Sequence, residues 1–253
     1  MDADWLRYDS QMRLPDFGEQ GQRRLSQASV LVAGVGGLGG YLAEYLVRAG
    51  VGHVRIVDRD RPALVNLHRQ IQFTEADVTH RLPKAEAASR RLRNVNSGVV
   101  VESVVNTIDA STVGALLDGV QLVMDGTDNF DARHVINDAC VAHGIPWIYG
   151  GAVGQSGMVM GIRPGRGPCL RCLLPATPTA CLLPTCNSEG IWPPLVGVVA
   201  SLQSSIALSW LSGFPEEQGE PDCAFLYTID MRPPSLRALT VRRDPVCPAC
   251  HNL

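Results

Sequence analysis

The stretch Val30-Leu31-Val32-Ala33-Gly34-Val35-Gly36-Gly37-Leu38-Gly39-Gly40 constrains the chain more than any other. A β-branched apolar run leads straight into glycines, and Tyr41-Leu42-Ala43-Glu44-Tyr45-Leu46-Val47 continues as a helix. That order predicts the strand, glycine turn and helix N-terminus of a nucleotide-binding βαβ unit. Gly34, Gly36 and Gly39 keep the G-x-G-x-x-G spacing, with Gly37 beside them. The first glycine allows a tight turn, the second lets backbone approach a phosphate, and the third lets helix pack close to strand. The helix start contributes unpaired N–H groups and a partial positive charge for an anion.

Strand and helix patterns alternate up to residue 150. Strands are expected at His53–Val57, Gly98–Val105, Val120–Met124 and Pro146–Tyr149, and helices over 84–94 and Phe130–His143, with Ser111 capping a short helix. The alternation predicts an α/β, Rossmann-like, doubly wound and mostly parallel sheet. After Gly151 the pattern changes to short β pieces (Gly157–Ile162), a Pro/Gly-rich loop, an apolar helix and two late strands (Phe225–Ile229, Leu236–Val241). We read this as an antiparallel elaboration of the same domain. A single domain over 1–253 would then comprise an N-terminal helical arm (1–28, broken near Pro15), a nucleotide-binding core (29–150) and an elaboration (151–253).

With 45% hydrophobic and 19% charged residues the chain can bury a full core. A net charge of −3 argues against nucleic acid as the main partner. The N-terminus begins acidic, and the greasy stretch Pro194–Leu211 is broken by serines and Gln203, so a buried helix is expected rather than a membrane span, in a cytoplasmic protein.

Asp58, at the tip of the second strand, stands where a ribose hydroxyl is held in such units, or it caps the next turn; Asp60 poses the same choice. Asn66, Arg69, Gln70 and Lys84 gather polar groups beyond that strand, where an Arg and a Lys neutralise phosphates unless each is a solvated surface charge. The strand end Asp125-Gly126-Thr127-Asp128-Asn129 suits Mg²⁺, a hard cation taking carboxylate oxygens, or supplies caps for the following helix. Eight cysteines in a chain of this size favour metal binding or catalysis over disulfides. Cys169-Leu170-Arg171-Cys172 and Cys247-Pro248-Ala249-Cys250 make a closed four-thiolate zinc site, unless they are unrelated pairs. Cys140 reads as a core residue, and Cys181 and Cys186 lie in a Pro/Thr-rich loop where a thiol is either a nucleophile or inert.

In combination these motifs resemble the MoeB/ThiF/HesA family, bacterial relatives of ubiquitin-activating enzymes. Arg7-Tyr8, the Gly34–Gly39 loop, Asn66-Leu67-His68-Arg69-Gln70, Pro83-Lys84, Asp125–Asn129, Gly151-Ala152-Val153-Gly154 and both cysteine pairs carry the resemblance, from Arg7 to Cys250. It implies a homodimer that binds Mg-ATP and structural zinc and adenylates the C-terminal glycine carboxylate of a ubiquitin-like sulfur-carrier protein ending in Gly-Gly. Pyrophosphate would leave, and a separate sulfur donor or sulfurtransferase would form the thiocarboxylate. By similarity, Gly34, Gly36, Gly37 and Gly39 approach the triphosphate and Asp58 holds the ribose. Asn66, Arg69 and Lys84 contact phosphates, Asp128 holds Mg²⁺, Asp60, Gln70 and Asn129 border the nucleotide, and Cys186 is the candidate thiol nucleophile.

Three departures stand out. Ser10 occupies the position of an Arg that reaches the partner subunit's ATP in this family, and Arg13, one helical turn on, is the candidate substitute. The link Thr79-His80-Arg81-Leu82 before Pro83 is longer than usual, and Cys186-Asn187-Ser188-Glu189-Gly190 departs from the family pattern. Alternatives are a specialised member adenylating a peptide or small carboxylate in natural-product biosynthesis, a degenerate nucleotide- or carrier-binding protein, and an NAD-dependent oxidoreductase. The last leaves Arg69, Lys84, Asp128 and the four cysteines without a purpose.

Overall fold

The arm breaks where Pro15 predicts. In the computed structural model, which describes residues 3–176, 186–214 and 222–251, a 3-10 turn (Ala3–Tyr8) runs into α1 (Asp9–Met12), and α2 (Gly18–Gln27) follows the break. The chain then enters β1 (Ser29–Ala33), α3 (Gly37–Ala49) and β2 (His53–Val57). A 3-10 turn (Leu64–Asn66) and α4 (Glu75–His80) come next, neither of them anticipated. Thr74 and Asp77 form a capping box that starts α4, a local signal present in the sequence. α5 (Lys84–Val95), β3 (Val100–Val104), α6 (Val113–Leu116), β4 (Leu122–Asp125), α7 (Phe130–His143) and β5 (Trp147–Val153) complete the alternating part. Ser111 does not cap α6; Asp109 organises that turn, its carboxylate accepting from the Ser111 and Thr112 N–H groups.

β6 (Ser156–Ile162), α8 (Leu170–Leu173), α9 (Cys186–Glu189), α10 (Pro193–Ser212), β7 (Cys223–Met231) and β8 (Pro234–Arg242) form the rest. Among the described residues eight strands make one sheet in the order β3-β2-β1-β4-β5-β6-β7-β8, and β5 carries it across residue 150. Pairing is parallel from β3 to β5 and antiparallel from β5 to β8. The late strands are longer than expected because each residue of β7 from Cys223 to Met231 has a partner in β8.

Each face of the parallel part of the sheet is covered. On one, Leu42 and Leu46 of α3, Ala88 and Leu92 of α5 and Val199 of α10 pack on Val30, Val54 and Ile148. On the other, Val113 and Leu116 of α6 and Ile136 and Cys140 of α7 cover Leu31, Val123 and Trp147. Cys140 is a core residue, and burial pushes its thiol up to about 12. Helix α10 is long and apolar enough to cross a membrane by length and composition, but it lies against α3, β5 and β6 with Val199, Ala200 and Ala207 fully buried. The strand order reverses between β1 and β4, so the crevice beyond their carboxyl ends is where such a sheet receives a ligand.

Candidate active site

At that crevice three backbone segments touch. Gly34 follows β1 with φ +80°, and its carbonyl lies under Gly39, where any Cβ would collide with it. A Cβ on Gly126, at the end of β4, would stand 2.6 Å from the Gly34 carbonyl oxygen and 2.7 Å from the Gly39 Cα. Only glycines allow the two strand ends and the start of α3 to meet. Gly36 is the N-cap of α3 and offers no capping side chain, so the first N–H groups of the helix face the crevice without an intrahelical partner.

Polar side chains gather around this loop. Asp58 braces it, one carboxylate oxygen accepting from the Val35 N–H at 2.9 Å and the other from Asp60 N–H at 2.8 Å. Asp58 thus caps its own turn while bracing the glycine loop. Lys84, the first residue of α5, is only 5% exposed, and its Nζ lies 3.3 Å from the exposed Asp60 carboxylate. Just past the 3-10 turn, the Asn66 backbone carbonyl accepts from the Arg69 and Gln70 N–H groups and makes a further turn. That turn lays the Arg69 stem beside Gly37 and puts the buried Gln70 amide against Gly36. The Gln70 Oε1 is buried with no hydrogen-bond partner among the described residues.

The turn after β4 separates its two acids. Asp125 is fully buried: Oδ1 accepts from Thr127 N–H and Oγ1 at 2.9 and 2.7 Å, and Oδ2 accepts from Arg133 Nε at 3.0 Å. Asp128 stays exposed with no ion pair or hydrogen bond among the described residues, which leaves its carboxylate open to a hard cation. Asn129 caps α7, its oxygen accepting from Ala132 N–H at 2.9 Å. Arg133 and Asp125 were missed as a pair by sequence reasoning. Burial works against the Arg133 charge, but the Asp125 carboxylate beside it, with Tyr149 and Asp128, outweighs burial and holds its pKa up.

Arg13, the candidate to serve a partner subunit's nucleotide, stands away from this chain's own crevice. Arg13 is 76% exposed and turned onto Asp9 at 2.6 Å, in an arm whose Gln11 donates to Ala49 O at the far end of α3. Cys181 and the Cys186 side chain lie outside the described residues.

The four cysteines of the two C-x-x-C pairs do meet. Their Sγ atoms all lie within 4.8 Å of one another, with Cys169–Cys247 at 3.6 Å and Cys172–Cys250 at 3.5 Å. A tetrahedron of zinc–sulfur bonds of about 2.3 Å puts sulfurs about 3.8 Å apart, so the cluster fits zinc with no open position. Asn137 of α7 donates to Cys169 Sγ at 3.8 Å and accepts from Leu170 N–H at 2.9 Å, which ties the cluster to the core. Burial raises the Cys169 thiol and pushes that of Cys172 up to about 11.

A profile of the ThiF family matches residues 8–249. The chain is 41% identical over 244 residues to the sulfur carrier protein ThiS adenylyltransferase of Bacillus subtilis, covering 96% of this chain and 71% of that one. It is also 41% identical over 249 residues to the sulfur carrier protein adenylyltransferase of Thermus thermophilus, covering 96% and 90%. Among solved structures, E. coli MccB with succinimide superposes with a TM-score of 0.83 at 21% identity, over 99% of this chain and 75% of that chain, a likeness of fold.

Proposed function

The chain belongs to the ThiF family, and from that premise we propose that it is an ATP-dependent adenylyltransferase acting on the C-terminal glycine carboxylate of a ubiquitin-like sulfur-carrier protein. The observation that carries the reading is the pairing of 41% identity over 96% of this chain to two sulfur-carrier adenylyltransferases with a glycine cradle that only backbone can line.

In this reading the α3 N–H groups and Arg69 receive the triphosphate, Lys84 exchanges Asp60 for a phosphate oxygen, and Asp58 faces the ribose while bracing the loop. Gln70, Asn66 and Asn129 border the nucleotide. A carboxylate oxygen of the carrier attacks the α-phosphorus, the bond to the bridging oxygen breaks, and pyrophosphate leaves as the acyl-adenylate forms. The protein's contribution is to hold two anions in line and to stabilise charge moving onto the leaving group. Mg²⁺, when bound, neutralises phosphate charge, and Asp128 is the carboxylate that would hold it. Cys169, Cys172, Cys247 and Cys250 would hold zinc in a structural role. The remaining parts of the proposal are a homodimer, a cytoplasmic setting where ATP is available, and a separate protein or small donor for sulfur.

The test is exchange of labelled pyrophosphate into ATP with small proteins ending in Gly-Gly, free carboxylic acids and short peptides. Exchange that requires a Gly-Gly carrier supports the proposal. Exchange with a peptide or acid alone moves the chain to the specialised alternative, and ATP binding without exchange on any acceptor overturns adenylation.

A further inference from the structure

Beneath the crevice lies a buried polar clamp that none of the roles above uses. Arg133, 6% exposed, donates from Nη2 to Thr127 O at 2.8 Å and to Gly150 O at 3.0 Å, while its Nε engages Asp125. Gly150 N–H in turn donates to the Asp125 carboxylate at 3.5 Å. The guanidinium lies over two aromatic rings, 4.9 Å from the Phe130 centroid and 5.3 Å from that of Tyr149. From the opposite face of the sheet Gln203 of α10 reaches in, fully buried, and donates from Nε2 to Asp125 O at 2.9 Å and Ile148 O at 3.3 Å. Its amide sits where a Cβ on Gly150 would be.

One charged fork and one amide therefore join β4, β5, α7 and α10 at the point where the Thr127–Asn129 turn leaves the sheet. A charge held this deep in a parallel sheet is expensive, and an apolar pair would hold strands together as well. What the polar clamp adds is direction. Every bond it makes ends on the backbone or side chain of Asp125, Thr127, Ile148 or Gly150, and Gly126 between them packs on Gly34 and Gly39. We propose that Arg133 and Gln203 are positioning residues for adenylation, fixing the separation between the turn that carries Asp128 and the glycine loop. The proposal rests on the nucleotide-binding reading above and deepens it. It makes the two residues act on where the metal-bearing carboxylate stands, not on how tightly the loop holds phosphate.

Arg133→Lys and Gln203→Leu test this. A lysine cannot reproduce three directed bonds from one planar group. For both variants the Mg²⁺ concentration giving half-maximal pyrophosphate exchange should rise about tenfold, the usual scale for disturbing a group behind a metal ligand. The exchange rate at saturating Mg²⁺ should fall by up to about 100-fold. Affinity for a fluorescent ATP analogue in EDTA should stay within about threefold of the unaltered protein, a split that general loosening of the fold would not produce. Because Arg133→Lys alone leaves Asp125 poorly matched, the double variant Asp125→Asn/Arg133→Met keeps the site neutral and should fold while reproducing the metal defect. Folded variants with unchanged Mg²⁺ dependence, or with analogue affinity in EDTA falling in step with exchange, overturn the positioning role. An unaltered protein that binds no ATP under either condition overturns the nucleotide reading itself.

Discussion

Gly39 and Gly114 are both helical glycines, and the difference between them shows how a single residue fixes this site. A Cβ on Gly114, in α6, would meet nothing within 4 Å, whereas one on Gly39 would strike the Gly34 carbonyl. Gly114→Ala should therefore leave nucleotide binding alone and raise stability by up to about 1 kcal/mol through helix propensity. Gly39→Ala should push α3 away from the loop, cost about 1–3 kcal/mol as overpacking does, and weaken ATP binding more than tenfold. Urea unfolding midpoints and titration with a fluorescent ATP analogue check both. Equal behaviour of the two variants would mean that the contact of Gly34, Gly39 and Gly126 is not what shapes the cradle. The glycine spacing was legible in the sequence because two backbones that must touch leave no choice of side chain. Asp58 was legible as an acid at a strand tip, but its two N–H partners were not, since they depend on the turn it helps to build. Arg133 was not legible. A charge in a helix reads as solvated, and the carboxylate that offsets its burial lies on a strand eight residues earlier.

Among elements, the cysteine staple joins the chain beyond the edge strand to α7 and the core. Cys169 and Cys172 open and lie within α8, and Cys247 and Cys250 follow β8, the edge strand of the sheet. Arg171, between the first pair, binds Asp138 of α7 through both Nη2 and Nε at 2.6 and 2.7 Å, so the staple also leans on α7. A metal present at ~100 times its dissociation constant contributes about 2.7 kcal/mol. For a chain of this length its removal by a chelator should lower the thermal midpoint by roughly 5–11 °C. Because burial raises the metal-free Cys169 and Cys172 thiols above the ordinary thiol range, zinc must displace protons to bind. Affinity accordingly rises with pH, and the metal retained after dialysis into metal-free buffer should fall as the solution is acidified. Elemental analysis of the dialysed protein over a pH series and thermal melts after chelation check this. A melting curve indifferent to chelation would leave the cluster as four thiols without a metal. The two C-x-x-C pairs announced the staple in the sequence, because ligand spacing is local. The elements themselves were legible where periodicity runs long, as in α3, α5 and α7. The 3-10 turn at Leu64–Asn66 and α4 were missed because neither has an apolar face: none of their residues is buried.

At the scale of the whole molecule, the arm and the crevice lie at opposite ends of one helix. The 13 residues of α3 span about 20 Å. Gly36 and Gly37 form the cradle at its start, while Gln11 and Gln22 of the arm both donate to Ala49 O at its end, and Tyr8 packs where a Cβ on Gly50 would stand. Arg13 follows two residues after Gln11 and turns back onto Asp9, away from its own glycine loop. The parallel core could be read from the alternation of patterns, but this separation could not, because it depends on which end of α3 the arm caps. If Arg13 replaces the arginine missing at Ser10, it must serve the crevice of a second copy. That requirement makes the prediction specific. Arg13→Ala and Lys84→Ala homodimers should each lose most carrier-dependent pyrophosphate exchange. Mixing them under conditions that let subunits exchange should restore activity, because one crevice in each mixed dimer regains an intact Lys84 beside the partner's Arg13. Arg13→Ala with full activity removes Arg13 from the chemistry. Loss without rescue, in dimers shown to have mixed, confines its action to its own chain, where the arm's anchorage to Ala49 would then have to give way before the side chain could approach the nucleotide.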